Sequence, residues 1–145
     1  MNDNKINFKT PRTKVGTAME ITVVALILLL WGFIIHLGRT ATFEVTRVLI
    51  THGFICTIMS AVMMVLCYFP KTFNIPKRNP RAEHYMITVE LIRIVCILVI
   101  LLEIASTWAI ARSDNEKAMG NMIAILSITL LLVVAFYIVR IVRLK

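Results

Sequence analysis

Three cysteines, Cys56, Cys67 and Cys96, with no Cys-x-x-Cys among them, argue against a disulfide framework or a cysteine-based zinc site. The chain also lacks a His-Glu-x-x-His pair, a glycine loop to cradle phosphate, a nucleophile set beside its base, and paired carboxylates in an aqueous segment. An enzyme of the soluble kind has nothing here to work with, so the reading is non-enzymatic, with no cofactor and no metal. Acidic residues are scarce, 8 against 16 lysines and arginines, for a formal charge of +8. Aromatic rings are not interleaved with those cations in a stacking pattern, so the excess of positive charge does not point to nucleic acid.

What the chain has in quantity is apolar side chain. Hydrophobic residues make up 59% of the 145, with a mean hydropathy of +0.83, against roughly 45 to 50% apolar in an average soluble domain. Four apolar runs, Ala18–Leu37, Val48–Phe69, Met86–Ile110 and Met119–Val139, each reach the length of about 20 residues that spans a hydrocarbon core of about 30 Å. Apolar residues occupy every side of each run, whereas a soluble amphipathic helix keeps a polar stripe and a membrane barrel strand alternates strictly. Placing ITVVALILLLWGFII or IAILSITLLLVVAFYIV in water costs about 25 cal/mol per Å2 of apolar surface. No small-x-small cleavage site follows the first run, which is read as a retained helix and not as a leader. The expectation is an all-α integral membrane four-helix bundle, preceded by a basic arm over residues 1–17 in which Pro11 and Gly16 oppose a long helix. The three cysteines fall within the runs and read as buried free thiols.

The basic residues set an orientation. Lys5, Lys9, Arg12 and Lys14 precede the first run; Lys71, Lys77, Arg78 and Arg81 lie between the second and third; Arg140, Arg143 and Lys145 follow the fourth. A four-helix meander puts all of these on one side. Arg39 and Arg47, then Arg112 and Lys117, are left on the other, diluted by Glu44, Asp114 and Glu116. Because positive loops stay inside, both termini are expected in the cytoplasm of a bacterium, with the chain crossing the cytoplasmic membrane as a multi-pass protein. Lys71, Lys77, Arg78, Arg81, Arg140 and Arg143 are expected to meet anionic lipid headgroups, at about 1 kcal/mol each. The expected partners are thus the bilayer itself and, within it, a membrane protein or a second copy of the chain.

Between the second and third runs, YFPKTFNIPKRNPRAEHY carries Pro70, Pro76 and Pro80, which oppose a regular helix, and Tyr68, Phe69, Phe73 and Tyr85, which suit a membrane surface. The first outer loop reads as GRTATFEVTR. In the last, Asp114 or Asn115 is an N-cap candidate, with a helical turn beginning near Glu116.

Ionisable groups inside a span cost about 2.5 to 3.5 kcal/mol at its centre, which makes them the candidate functional residues. Glu90 and Arg93, three apart on the third helix, can pair as the chain enters the bilayer, and Glu20 lies at a depth from which it can reach Arg93 from the first helix. Glu103 sits about 10 Å below the outer end of the third helix with no basic neighbour in sequence. His52 lies at similar depth in the second helix, and the two form a proton site if those helices adjoin; the alternative is a neutral Glu103 bonded to a helix carbonyl, Ser106 or Thr107. His36 and His84, at helix ends, read as interfacial, while Trp31 and Trp108 fit the outer half of the bilayer.

The segment YFPKTFNIP, followed after a short polar stretch by AEHYMITVELIRIVCILVILLEIA, resembles small bacterial membrane proteins that contain domain of unknown function 1648, of the type found in the Bacteroides group. Phe69, Pro70, Phe73, Asn74 and Pro76 match that family's loop, Tyr85 and Arg93 its following helix, and RTKVGTAMEITVVALILLLWG is similar to its opening. The first outer loop departs: HLGRTATFEVTRVLITHG stands where the family has a Pro-x-His-Phe-Asn stretch. The resemblance covers about two thirds of the chain and implies an association with sensing or resisting membrane-active agents. The functional expectation is therefore an accessory, sensing or immunity-like membrane protein. A small transporter or proton-coupled subunit using Glu103 and His52 is the second reading.

Overall fold

The computed structural model describes residues 13–69, 82–111 and 116–143, all in helices apart from a few turn and capping residues. The helices are α1 (Lys14–Gly38), α2 (Phe43–Leu66), α3 (Ala82–Ala111) and α4 (Glu116–Arg143). Among the described residues there is no strand. α1, α2 and residues Ile123–Arg143 of α4 are each long and apolar enough to cross a membrane.

The helices outrun the apolar runs that imply them, because capping and not hydropathy decides where they start. Lys14 to Thr17, expected in the basic arm, are helical: Thr13 is extended at the N-cap and its hydroxyl accepts the Gly16 amide at 3.0 Å, satisfying one of the orphan donors of the first turn. Phe43 to Arg47, expected in the outer loop, already belong to α2. There the chain enters through extended Thr42, Glu44 complements the helix dipole, and the Thr46 hydroxyl bonds back to the Thr42 carbonyl at 3.0 Å. At its other end α2 stops at Leu66, before the expected Phe69. α3 starts at Ala82, just past Pro80, and α4 runs on to Arg143, since apolar Ile141 and Val142 continue the helix beyond Arg140. Asp114 and Asn115 lie outside the described residues.

α3 is the centre of the bundle. α1, α2 and α4 all pack on it, and α1 and α2 also pack on each other. The buried positions recur at steps of three, four and seven residues, the spacing that keeps one helix face turned to a neighbour: Gly16, Val23, Leu30 and Ile34 on α1, and Leu49, Gly53, Cys56 and Ser60 on α2. On α3 the matching positions are Val89, Arg93, Cys96, Ile100 and Thr107. Small residues dominate the α2 seam, which lets the helix backbones approach closely. At Gly53 the approach is closest, since a Cβ there would stand 2.5 Å from Ile34 Cδ1. One turn on, Trp31 Nε1 donates to Thr57 Oγ1 at 3.0 Å, and that hydroxyl donates to the Gly53 carbonyl at 2.7 Å. Cys56, Cys67 and Cys96 are buried and form no disulfide with one another.

α4 is held to α3 by a smaller cluster, with Ile87, Tyr137 and Ile141 buried and Tyr85, Leu91, Ile94 and Val133 around them. The outward faces are apolar: Ile21, Val24 and Leu28 on α1, Phe54, Ile58 and Val62 on α2, Ile128, Leu131 and Phe136 on α4 are all exposed. A contiguous apolar exterior of this extent is compatible with lipid contact.

Candidate functional site

The up-and-down order gives the bundle two ends. At the terminal end α1 and α3 begin while α2 and α4 finish; two groups of interacting ionisable side chains on α3 lie at that end and one toward the other.

At the terminal end, Arg93 is the hub. It is 9% exposed, and its Nη2 donates to Glu20 Oε1 at 2.6 Å across the α1–α3 seam. The second Glu20 oxygen accepts the Tyr68 hydroxyl at 2.9 Å, so α1, α3 and the turn after α2 converge on one carboxylate. Gly16 makes room for this: a Cβ at that position would lie 2.6 Å from Arg93 Nη1. Arg93 Nε is buried and finds no acceptor. The expected pairing of Glu90 with Arg93 along α3 is not among the ion pairs. Glu90 turns to α4 instead, accepting the Tyr137 hydroxyl at 2.9 Å and standing 3.9 Å from Arg140 Nη1. The physical reason is that Arg93 faces the α1 seam, where Glu20 offers a second-helix carboxylate in a less hydrated place. The two carboxylates are thus treated alike, each with one tyrosine hydroxyl and one arginine. Arg140 also lies 5.8 Å from the Tyr137 ring centre, within cation–π range.

Between α1, α3 and α4 this end opens a cavity of about 540 Å3, lined by Thr13, Val15, Gly16, Met19, Glu83, Met86, Ile87, Val89, Glu90, Arg93 and Arg140. Arg143 is exposed at the last turn of α4, while Lys71, Lys77, Arg78 and Arg81 lie outside the described residues. His84, expected at an interface, is fully buried at the start of α3.

Toward the opposite end, α2 and α3 bring His52 and Glu103 together, with Nδ1 of the imidazole 2.9 Å from Oε1 of the carboxylate. The side chains are 45% and 21% exposed, so the pair stands on the outside of the α2–α3 seam. Ser106, weighed as a partner of Glu103, bonds its own helix carbonyl at Leu102 instead, at 2.9 Å. Trp108 packs against Phe33 at 5.4 Å on the neighbouring seam. The pair can share one proton, and the arrangement of each nitrogen depends on which imidazole tautomer is present.

Tyr68 and Tyr137 are participants that the sequence pattern does not single out. Tyr68 reads from sequence only as an interfacial ring. Its position at the end of α2, level with Glu20 at the start of α1 when both are counted from the same side, is the signal that would have found it. Tyr137 sits one turn before Arg140, and that spacing on one helix face is its signal.

Among the described residues no group of three or more histidines, cysteines or carboxylates is arranged to hold a metal ion. The chain matches no family model, no curated protein and no solved structure. Fold and site together define an all-helical protein with three helices capable of crossing a membrane and with paired ionisable groups on its central helix.

Proposed function

We propose that the chain is a multi-pass protein of the bacterial cytoplasmic membrane, all four helices crossing and both termini inside, that acts without chemistry of its own as an accessory or sensing element through partners in the bilayer. The observation that carries this reading is the position of the His52–Glu103 pair, joined at 2.9 Å on the outward side of the α2–α3 seam. A protonatable pair kept inside a span is costly and marks function by default. On the outer flank of the bundle, it is offered to whatever lies against α2 and α3, and a change in its proton or its partner alters how those two helices hold each other. The likeness of the loop around Pro70 and Pro76 to domain of unknown function 1648 adds the association with sensing or resisting membrane-active agents, an immunity-like role.

The test is complementation of a deletion strain challenged with membrane-active peptides. Wild-type chain restores the response, and His52→Gln or Glu103→Gln fails to, although each variant reaches the membrane at normal level. Full complementation by Glu103→Gln sinks the assignment of the pair. The same geometry favours one second reading, a small transporter or proton-coupled subunit; it predicts that purified chain in liposomes dissipates an imposed proton gradient and that Glu103→Gln abolishes the flux.

A further inference from the structure

The cavity at the terminal end is independent of the His52–Glu103 pair, and its lining is unusual in carrying both signs of charge beside apolar walls. Arg93 and Arg140 are the cations; Glu83 and Glu90 are the carboxylates. α1 and α4 flank α3 without packing closely on each other, which is why the space between them stays open. Its rim is apolar and exposed, with Val15 on α1 and Met86 on α3.

Arg93 is the more buried of the two cations, its side chain 11% exposed against 47% for Arg140. Its Nε is enclosed without a partner and closed off from the cavity, while Nη2 is committed to Glu20. The side chain also lines the cavity, so an oxygen anion brought there adds a second charge-assisted partner to the guanidinium. Gly16 keeps the guanidinium against the start of α1, whose first-turn amides likewise favour an anion. Arg140 adds a second guanidinium, 3.9 Å from Glu90 and so beyond hydrogen-bond distance of it.

The carboxylates decide between kinds of anion. Glu90 lies one helical turn from Arg93, about 4.5 Å of rise, and a carboxylate keeps acceptor capacity after one tyrosine hydroxyl is bound. Glu83 stands exposed at the mouth. A purely anionic headgroup meets two like charges there, while a cation with N–H donors meets two acceptors. We propose that this cavity is a binding site for one phosphatidylethanolamine molecule, its phosphate on Arg93 and Arg140, its ammonium on Glu90 and Glu83, and its chains running out past Met19 and Met86. Phosphatidylcholine carries the same charges without N–H donors, and phosphatidylglycerol carries the phosphate without the cation, so the three headgroups separate the contributions.

The experiment is native mass spectrometry of the full chain in detergent micelles, titrated with phosphatidylethanolamine, phosphatidylcholine and phosphatidylglycerol of identical chains. The ethanolamine lipid is expected to be retained about tenfold better than either of the others, the difference made by one charge-assisted hydrogen bond. Glu83→Gln and Arg140→Gln, both at exposed side chains, are expected to keep the wild-type melting temperature and lose that preference. Equal retention of the three lipids, preference for phosphatidylglycerol, or an unchanged preference in both variants overturns the proposal, as does a spectrum showing the chain free of lipid or only as a lipid-free dimer.

Discussion

Replacing Glu20 by glutamine tests whether the Arg93 hub holds the bundle together. The change preserves size and leaves an amide oxygen for the Tyr68 hydroxyl, so it removes little except the charge that answers Arg93, whose side chain is 11% exposed. Breaking a buried ion pair by deleting one partner costs about 3 to 5 kcal/mol. The Glu20 side chain is 25% exposed, so water screens part of the loss, and about 2 to 3 kcal/mol is the expected cost, a factor of roughly 30 to 150 in the ratio of folded to unfolded chain. Glu90→Gln is the matched control. Its pair with Arg140 is long, 3.9 Å, with side chains 42% and 47% exposed, and the expected cost is below about 0.5 kcal/mol. The assay is unfolding in detergent micelles by added dodecyl sulfate, followed by the fluorescence of Trp31 and Trp108, the two tryptophans of the chain. A second arm, Glu20→Gln combined with Arg93→Met, is expected to recover most of the loss, because an apolar side chain of similar length carries no charge to strand. Equal costs for Glu20→Gln and Glu90→Gln, or no recovery in the double variant, refute the claim that an unanswered buried charge is what destabilises.

Two further outcomes follow from the packing and the charge distribution. Gly53→Ala drives a methyl to within 2.5 Å of Ile34 Cδ1, a buried side chain with little room to yield, and is expected to cost about 1 to 3 kcal/mol, whereas Gly32→Ala meets nothing within 4 Å and is expected to be neutral or stabilising by up to about 1 kcal/mol in the same assay. A phosphatase fused after Lys145 is expected to be inactive and a fluorescent protein at the same site bright, both reporting a cytoplasmic end; the opposite pattern inverts the proposed orientation.

The helices were legible because each contains a long apolar run, three of them long and apolar enough to cross a membrane. Their ends were not, since Thr13 and Thr42 start α1 and α2 inside segments whose polar composition reads as loop. The proximity of His52 to Glu103, and of Glu20 to Arg93, follows from counting depth along adjacent antiparallel helices, which needs only the spans. Which neighbour Glu90 chooses does not follow from counting. The choice depends on α3 turning Arg93 toward α1 and Glu90 toward α4, a rotation that the near-uniform apolarity of α3 leaves unmarked. The α2 seam was hidden for a related reason: its buried residues, Gly53, Cys56 and Ser60, are smaller and no more apolar than the exposed Ile55, Ile58 and Met59 beside them.

The central place of α3 has a consequence for biogenesis. This helix carries Glu83, Glu90, Arg93 and Glu103, and the groups that answer the last three sit on elements made both before and after it. Glu20, Tyr68 and His52 precede Arg93 and Glu103 in synthesis, so under the proposed four-span topology the α1–α2 hairpin already holds the partners of both charges when the third segment arrives. Glu90 meets Tyr137 and Arg140 only once the last helix is made.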